Sequence, residues 1–369
     1  MSDLRYWIGF NHMAGIGPAK LRALLDHFGD LETAWRANST DLREAGLDRR
    51  ALEYMLAARA SLDLDAEAAR VARVGAQAVT WDDPEYPPLL KSIAASPPLL
   101  YVKGGFASAD QWAIAIVGTR RATAYGREVT RVLAGDLARS GVTIVSGLAR
   151  GIDAAAHQAA LDAGGRTIAV LGHGIDFVYP PEHRKLSEQI IEHGAAVTDY
   201  PIGTAPEGKN FPPRNRIISG LSLGVLVIEG DVSSGARITA DFALEQGRDV
   251  FAVPGNILQR SSRLPNTLIQ QGATPVLSAD DILEQLNLTM VAQQAEAREI
   301  IPADPTEAQL LGLLSAEPVH IDDIRRETGL PIAQVSSTLA MMELKGMVRQ
   351  AGGMNYVLAR ENQATYKVD

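Results

Sequence analysis

The stretch Ile114-Ala115-Ile116-Val117-Gly118-Thr119-Arg120, a helical run from Tyr125 to Arg139, Val142-Thr143-Ile144-Val145, and then Ser146-Gly147-Leu148-Ala149-Arg150-Gly151-Ile152-Asp153 decides the fold. A short apolar, β-branched run bounded by glycine reads as a buried strand, and two such runs around an amphipathic helix of about four turns read as a β-α-β unit. Each strand ends in a glycine-rich loop that carries an arginine and opens a helix. In open parallel sheets, ligands sit outside the carboxyl ends of the strands, where loop amides and helix N-termini face anions. A phosphate-binding face is therefore expected there.

Outward from this unit the alternation continues. Further strands are expected at Thr167 to Leu171, Ala195 to Asp199, Gly224 to Glu229 and Asp249 to Gly255, with helices near Gly126 to Arg139, Ala154 to Asp162, Arg184 to His193, Arg216 to Leu221 and Ile238 to Gln246. Strict alternation with short connections implies an α/β fold, a Rossmann-like doubly wound parallel sheet. Before it, Leu4 to about Ala60 and residues 61 to 75 read as helical, with Leu21, Leu24, Leu25 and Phe28 at helical spacing. The turn Gly15-Ile16-Gly17 is either a phosphate-contacting hairpin or a tight interhelical turn. Ala78 to Trp81 and Leu99 to Val102 read as short strands around a proline-rich connector, Asp82 to Gly105. After the sheet, Thr289 to Pro305 lacks apolar periodicity and reads as a linker. Three helices and a hairpin with the turn Gly352-Gly353 then give a winged-helix order. The expected boundaries are 1–75, 76–288, 289–305 and 306–369.

The third helix of the last segment offers Gln334, Ser336, Ser337 and Thr338, with Lys345 as its one cation. Sequence-reading helices carry more basic or amide groups, so a protein contact or a weak DNA contact is favoured over sequence reading. A formal charge of −9 argues against coating duplex DNA by bulk positive charge. The distribution places any anionic polymer on the middle segment: residues 113–260 hold 15 basic and 15 acidic side chains, whereas 261–369 hold 8 and 14. Cysteine is absent, which excludes disulfides and thiolate chemistry and fits a reducing cytoplasm. No apolar run approaches the ~20 residues of a membrane span, and Met1-Ser2-Asp3-Leu4-Arg5 lacks the pattern of a secretion signal.

Most of the positively charged loop residues of the middle segment project from one edge of the sheet. Arg120 and Arg150 lie in the first two carboxyl-end loops, Arg184 and Lys185 follow the third strand, Lys209, Arg214 and Arg216 the fourth, and Arg237 the fifth. Guanidinium groups offer forked donors to phosphate oxygens. In Phe211-Pro212-Pro213-Arg214-Asn215-Arg216, Asn215 is placed to cap a helix starting at Arg216, which would set arginines at the positive end of a dipole that normally favours acids. Asp153 and His157 stand four apart on one helix. With no third ligand in sequence reach they read as a cap and a locally bonded histidine, so no metal is expected. There is no Gly-x4-Gly-Lys-Ser/Thr loop and no Gly-x-Gly-x-x-Gly fingerprint, so neither ATP hydrolysis nor a dinucleotide cofactor is supported.

Tyr86-Pro87-Pro88-Leu89-Leu90, the Gly118-Thr119-Arg120 loop, Ser146 to Asp153, Tyr179-Pro180, Phe211 to Ile218 and Val253-Pro254-Gly255 together resemble the DprA/Smf family of DNA-processing proteins over residues ~80 to ~275. Thr198-Asp199, His183 and Leu264-Pro265 depart from the family pattern and put local loop shape in question. The resemblance implies a helical N-terminal module of the SAM or helix-hairpin-helix type and a winged-helix C-terminal module. It implies a homodimer through the Rossmann-like domain that binds single-stranded DNA, protects incoming strands during natural transformation and loads the RecA recombinase, without enzymatic turnover. Carried over by motif, Arg120 and the residues around Phe211 to Arg216, Asn215 among them, contact DNA. Gly118, Ser146, Gly147 and Gly235 shape the same pocket by backbone approach. Phe177, Tyr179, Tyr200 and Phe211 lie near this edge and are candidates for base stacking. Two other readings stay open: a phosphoribohydrolase-type nucleotide hydrolase with Glu245 or Glu229 as its carboxylate, and a scaffold whose central pocket holds a regulatory nucleotide.

Overall fold

The strands expected from Ile114 onward assemble into one nine-stranded sheet of order β1-β2-β6-β5-β4-β3-β7-β8-β9. The computed structural model describes residues 3–13, 15–288, 305–314, 318–344, 348–350 and 352–358. The chain divides into two units, 1–292 and 293–369.

In the first unit six helices come first: α1 (Leu4–Asn11), α2 (Pro18–Phe28), α3 (Leu31–Arg36), α4 (Ser39–Glu44), α5 (Arg49–Ser61) and α6 (Leu64–Arg73). Then follow β1 (Gln77–Thr80), α7 (Pro88–Lys91), β2 (Leu99–Gly104), β3 (Ala113–Val117), α8 (Ala124–Arg139), β4 (Thr143–Ser146), α9 (Ile152–Asp162) and β5 (Thr167–Val170). The series closes with α10 (Arg184–His193), β6 (Ala195–Thr198), α11 (Phe211–Gly220), β7 (Gly224–Val227), α12 (Gly235–Glu245), β8 (Asp249–Ala252), α13 (Arg263–Gln270), β9 (Thr274–Pro275) and α14 (Ala279–Gln285). From β6 across to β9 all pairs are parallel, whereas β1–β2 and β2–β6 are antiparallel. Strand direction of build-up reverses at β3, whose neighbours are β4 and β7.

Alternation along β3 shows why these runs are apolar throughout. Ala113, Ala115 and Val117 face one core with Ile217, Ala240 and Leu264, while Ile114 and Ile116 face another with Leu133, Ala156 and Ile282. The proline-rich segment is more than a connector, because its strand β2 extends the sheet through Tyr101↔Thr198 and Val102↔Val197. The helices read as a separate module share the first core. Trp7, Phe10 and Leu24 belong to it with Leu100 and Val102, and Trp7 meets Trp81 edge-on at 6.2 Å. Asn11 ties α1 to the sheet: its Nδ2 donates to the Asp199 carbonyl at 3.0 Å, and its Oδ1 accepts from the Tyr101 hydroxyl at 3.2 Å. The turn at Gly15 holds its own cation, since Lys20 Nζ donates to the Gly15 carbonyl (3.0 Å) and pairs with Asp48 (2.6 Å).

The second unit contains helices Pro305–Leu311, Ile321–Thr328 and Ile332–Leu344 and a small sheet of order β10-β12-β11, formed by β10 (Val319–His320), β11 (Val348–Gln350) and β12 (Asn355–Leu358). Gly352 and Gly353 turn with φ of +91° and +56°, as a tight hairpin between β11 and β12 requires. This is the winged-helix arrangement. Gln334, Ser336 and Ser337 of the third helix are exposed. Lys345 and the expected linker up to residue 304 lie outside the described residues. Among the described residues no helix is long and apolar enough to cross a membrane.

Candidate functional site

At the carboxyl edge, the loops after β3 and β4 interlock. Gly151 adopts φ +81°, and a Cβ there would meet the Thr119 carbonyl at 2.3 Å. The Ile152 amide donates to that same carbonyl at 3.2 Å. Gly118 is equally enclosed, because an added Cβ would strike Ile152 at 2.5 Å and the Glu229 carbonyl at 2.9 Å. These two glycines exist so that protein can approach protein.

Arg214 occupies the centre. It is 4% exposed, and its Nη1 donates to the carbonyls of Gly147 (3.0 Å) and Val170, while Nε donates to Asn215 Oδ1 (3.2 Å). Asp153, also buried, accepts from the Gly147 and Ala149 amides at 3.2 and 3.4 Å. A Cβ on Gly147 would lie 2.6 Å from an Arg214 nitrogen and 2.8 Å from an Asp153 oxygen, so the glycine separates the two charges at close range. Burial pushes Asp153 up to about 6 against the pull of Arg214, and burial likewise brings Arg214 down to about 10.

Arg214 therefore corrects a sequence expectation: it ties together the ends of β4 and β5 instead of facing solvent. The correction has a local cause. Helix α11 starts at Phe211, not Arg216, because Pro212 and Pro213 fall in the first turn, where backbone donors have no intrahelical partner. Asn215 is then interior to the helix, with Nδ2 donating to the Gly235 carbonyl at 3.3 Å, and caps nothing. Arg216 pairs with Asp199 at 2.7 Å, both largely buried (17% and 18% exposed), and burial raises the Asp199 carboxyl despite this partner. Ser146 is buried and donates to the Ile116 carbonyl at 2.6 Å. Gly235, with open space beside it, is the exposed first residue of α12.

The exposed cations gather elsewhere. A cleft of about 750 Å³ runs from the β3 loop along α9 to α10, floored by Gly151, Ala154, Ala155 and Leu186 and lined by Arg120, Arg121, Arg127 and Lys185, with Glu182 as the acid of the set. Of the expected residues, the structure brings Arg120 and Lys185 together here. Arg184, the first residue of α10, is exposed next to Lys185, and Arg150 is held at the margin by Glu182 at 2.5 Å. Lys209 and Arg237 are paired within their own segments, with Glu207 and Asp241, each at 2.7 Å. Arg121 and Arg127 escaped the sequence reading, yet for Arg127 a signal existed. Helices α8 and α10 have no acid in their first turns and carry cations there instead, contrary to the dipole.

An aromatic step adjoins the cleft. The Arg120 guanidinium lies 5.6 Å from the Phe211 ring centroid, and Phe211 stacks on Tyr179 at 5.7 Å and 29°. Tyr179 and Phe177 are 40% and 38% exposed, whereas Tyr200 donates its hydroxyl to the Asn210 carbonyl at 2.9 Å.

The carboxylates of the hydrolase reading point elsewhere. Glu229 is buried and accepts from the Thr123 amide (2.9 Å) and hydroxyl (2.6 Å), which seats the start of α8. Its backbone carbonyl accepts from Thr119 N at 2.8 Å, closing the crevice between β3 and β7. Glu245 ends α12, at the opposite edge of the sheet.

His157 is fully buried among these elements. Thr167 Oγ1 donates to the Ile144 carbonyl, so the 2.6 Å contact with His157 Nδ1 makes that nitrogen the donor. Burial brings this histidine down to about 3. Its neutral form is native, while an unfolded histidine protonates near 6.5. Stability is therefore level above pH ~6.5 and falls as the pH drops towards ~3, by up to about 1.4 kcal/mol per pH unit. Urea midpoints taken from about pH 7 to about pH 4 should show a shallower acid decline for His157→Gln than for the wild type. Equal slopes would show His157 charged within the fold. Among the described residues no cluster suited to a metal ion occurs.

Comparisons with known proteins agree with this architecture. The family model for DNA recombination-mediator protein A matches residues 77–287, and that for the DprA winged helix domain matches residues 293–354. The chain is 37% identical to Protein Smf of Synechocystis over 96% of its length and 98% of that protein, and 40% identical to Protein Smf of Escherichia coli over 76% of each. It is similar in structure to DNA processing protein A of Streptococcus pneumoniae, with a TM-score of 0.67, 33% identity and coverage of 77% of this chain and 98% of that one. Similarity extends to DNA processing protein A of Helicobacter pylori, a structure described for its single-stranded DNA binding mode, with a TM-score of 0.51, 28% identity and coverage of 58% and 97%. From its sheet to its winged helix, the chain belongs to the DNA recombination-mediator protein A family, the DprA/Smf proteins.

Proposed function

We propose that this protein binds single-stranded DNA along the carboxyl edge of its large sheet, shields the strand and hands it to a RecA-type recombinase, as a cytoplasmic homodimer and without chemical turnover. The observation that carries the reading is the cleft in which Arg120, Arg121, Arg127 and Lys185 converge beside the Tyr179–Phe211 stack. Phosphates lie against the cations while exposed aromatic rings take bases, the combination that single-strand binding uses. Arg214, Asn215, Arg216, Ser146, Gly118 and Gly147 act from below as supports that fix the loops carrying Arg120 and Arg150. Gly235 and the paired Lys209 and Arg237 serve as outlying contacts.

Relatives named for DNA processing, and the Helicobacter pylori protein described binding single strands, support the same reading. The dimer rests on an apolar surface of the same domain. Ile257 and Leu258, in the loop after β8, and Leu277, after the neighbouring strand β9, are 83%, 87% and 83% exposed, and apolar side chains left this open on adjacent strand ends suit a contact face.

Sedimentation velocity with a labelled single-stranded oligonucleotide tests the whole. Complexes should contain two chains, and the label should be displaced by unlabelled single strands but not by duplex. Added RecA and ATP should then form filaments faster on the coated strand than on strand coated by a single-strand-binding protein. Equal displacement by duplex would contradict the reading.

A further inference from the structure

We infer that Glu182 is a built-in competitor for phosphate: its carboxylate sits on Arg150 where a DNA phosphate would sit, and so sets how tightly a single strand is held. This inference rests on the single-strand reading above and concerns one position within it.

Glu182 is the acid among the cleft's cationic lining. It accepts from Arg150 Nε at 2.5 Å, the charge-assisted bond that a phosphate oxygen would make with the same group. Its place is fixed by the short 3-10 turn Pro181–His183, in which the His183 ring nitrogen lies 3.0 Å from the Leu148 carbonyl. Leu148 belongs to the loop that carries Arg150, so acid and arginine are held on two segments latched together. Exposure decides that this pair can open. Arg150 and Glu182 are 60% and 49% exposed, and exposed pairs are weakly held. The pair Arg216–Asp199, at 17% and 18%, is enclosed and serves the fold. Lys209–Glu207 is as open, yet neither residue lines the cleft. A strand entering the cleft thus meets Arg150 only by displacing a tethered carboxylate. Removing that carboxylate's charge gives the strand one more cation.

The test is a salt titration of a labelled oligothymidylate against the full-length protein and its Glu182→Gln variant. One additional neutralised phosphate steepens the slope of log affinity against log salt by about 0.7, so Glu182→Gln should bind about fivefold tighter at ~0.1 M salt and converge with the wild type near ~1 M. Glu188→Gln removes an exposed acid of α10 that does not line the cleft, and it should stay within about twofold of the wild type. Adding Arg150→Gln to Glu182→Gln should abolish the gain. The inference is overturned if Glu182→Gln matches the wild type, if Glu188→Gln gains as much, or if the double variant keeps the gain. Salt-independent binding by the wild type is a separate outcome and would remove the single-strand reading itself.

Discussion

Replacing Arg214 by alanine should lower stability by about 3 to 5 kcal/mol, because it leaves the buried Asp153 without its compensating charge. For a unit of this size that corresponds to roughly 5 to 8 °C in thermal midpoint. Two backbone carbonyls, those of Gly147 and Val170, lose their donor at the same time. Adding Asp153→Asn to Arg214→Ala should recover part of the loss, since it removes the unpaired charge while keeping an acceptor for the Gly147 and Ala149 amides. Calorimetry of the two variants checks both statements. An Arg214→Ala protein that melts like the wild type yet no longer binds DNA would place the guanidinium on a phosphate after all.

The second large effect concerns binding with the fold intact. Arg120 and Lys185 are exposed and line the cleft from opposite sides, one in the β3 loop and one in the first turn of α10. Exposed positions of this kind change stability little when substituted. If each neutralises one phosphate, Arg120→Ala with Lys185→Ala should flatten the salt slope by about 1.4 and weaken single-strand binding about 25-fold at ~0.1 M salt. The thermal midpoint should remain that of the wild type.

What the sequence disclosed, and what it withheld, follows the reach of the interactions. Strands β3 to β8 are buried on both faces, so Ile114 to Val117 and Gly224 to Val227 are apolar without a break and their β-α rhythm is visible locally. The glycine-rich loops at their ends were visible for the same reason. The antiparallel pairing of β2 with β6 joins residues almost a hundred positions apart, and nothing within Leu99 to Gly104 announces its partner. The start of α11 was misplaced because prolines are usually read as breakers, although a first helical turn accepts them.

The fate of Arg214 was hidden more deeply. An arginine beside prolines, two residues from Arg216 and in a loop at the carboxyl edge, reads as a solvent-facing phosphate contact. Only the fold brings Gly147 and Asp153, from the two ends of one loop, and Val170, from the next strand, around it. Arg121 and Arg127 illustrate the reverse case. Arg127 was legible as a cation in the first turn of a helix, against the dipole, whereas Arg121 precedes that helix beside Arg120, and the cleft they share with Lys185 is a product of how α8, α9 and α10 converge.

The measurement that bears most directly on the central claim is the salt dependence of single-strand binding for the intact protein beside Arg120→Ala with Lys185→Ala, each checked for its thermal midpoint. The account predicts a steep slope for the wild type, a slope shallower by about 1.4 for the double variant, and equal melting. Identical slopes in two equally stable proteins would contradict it and move the DNA away from this cleft.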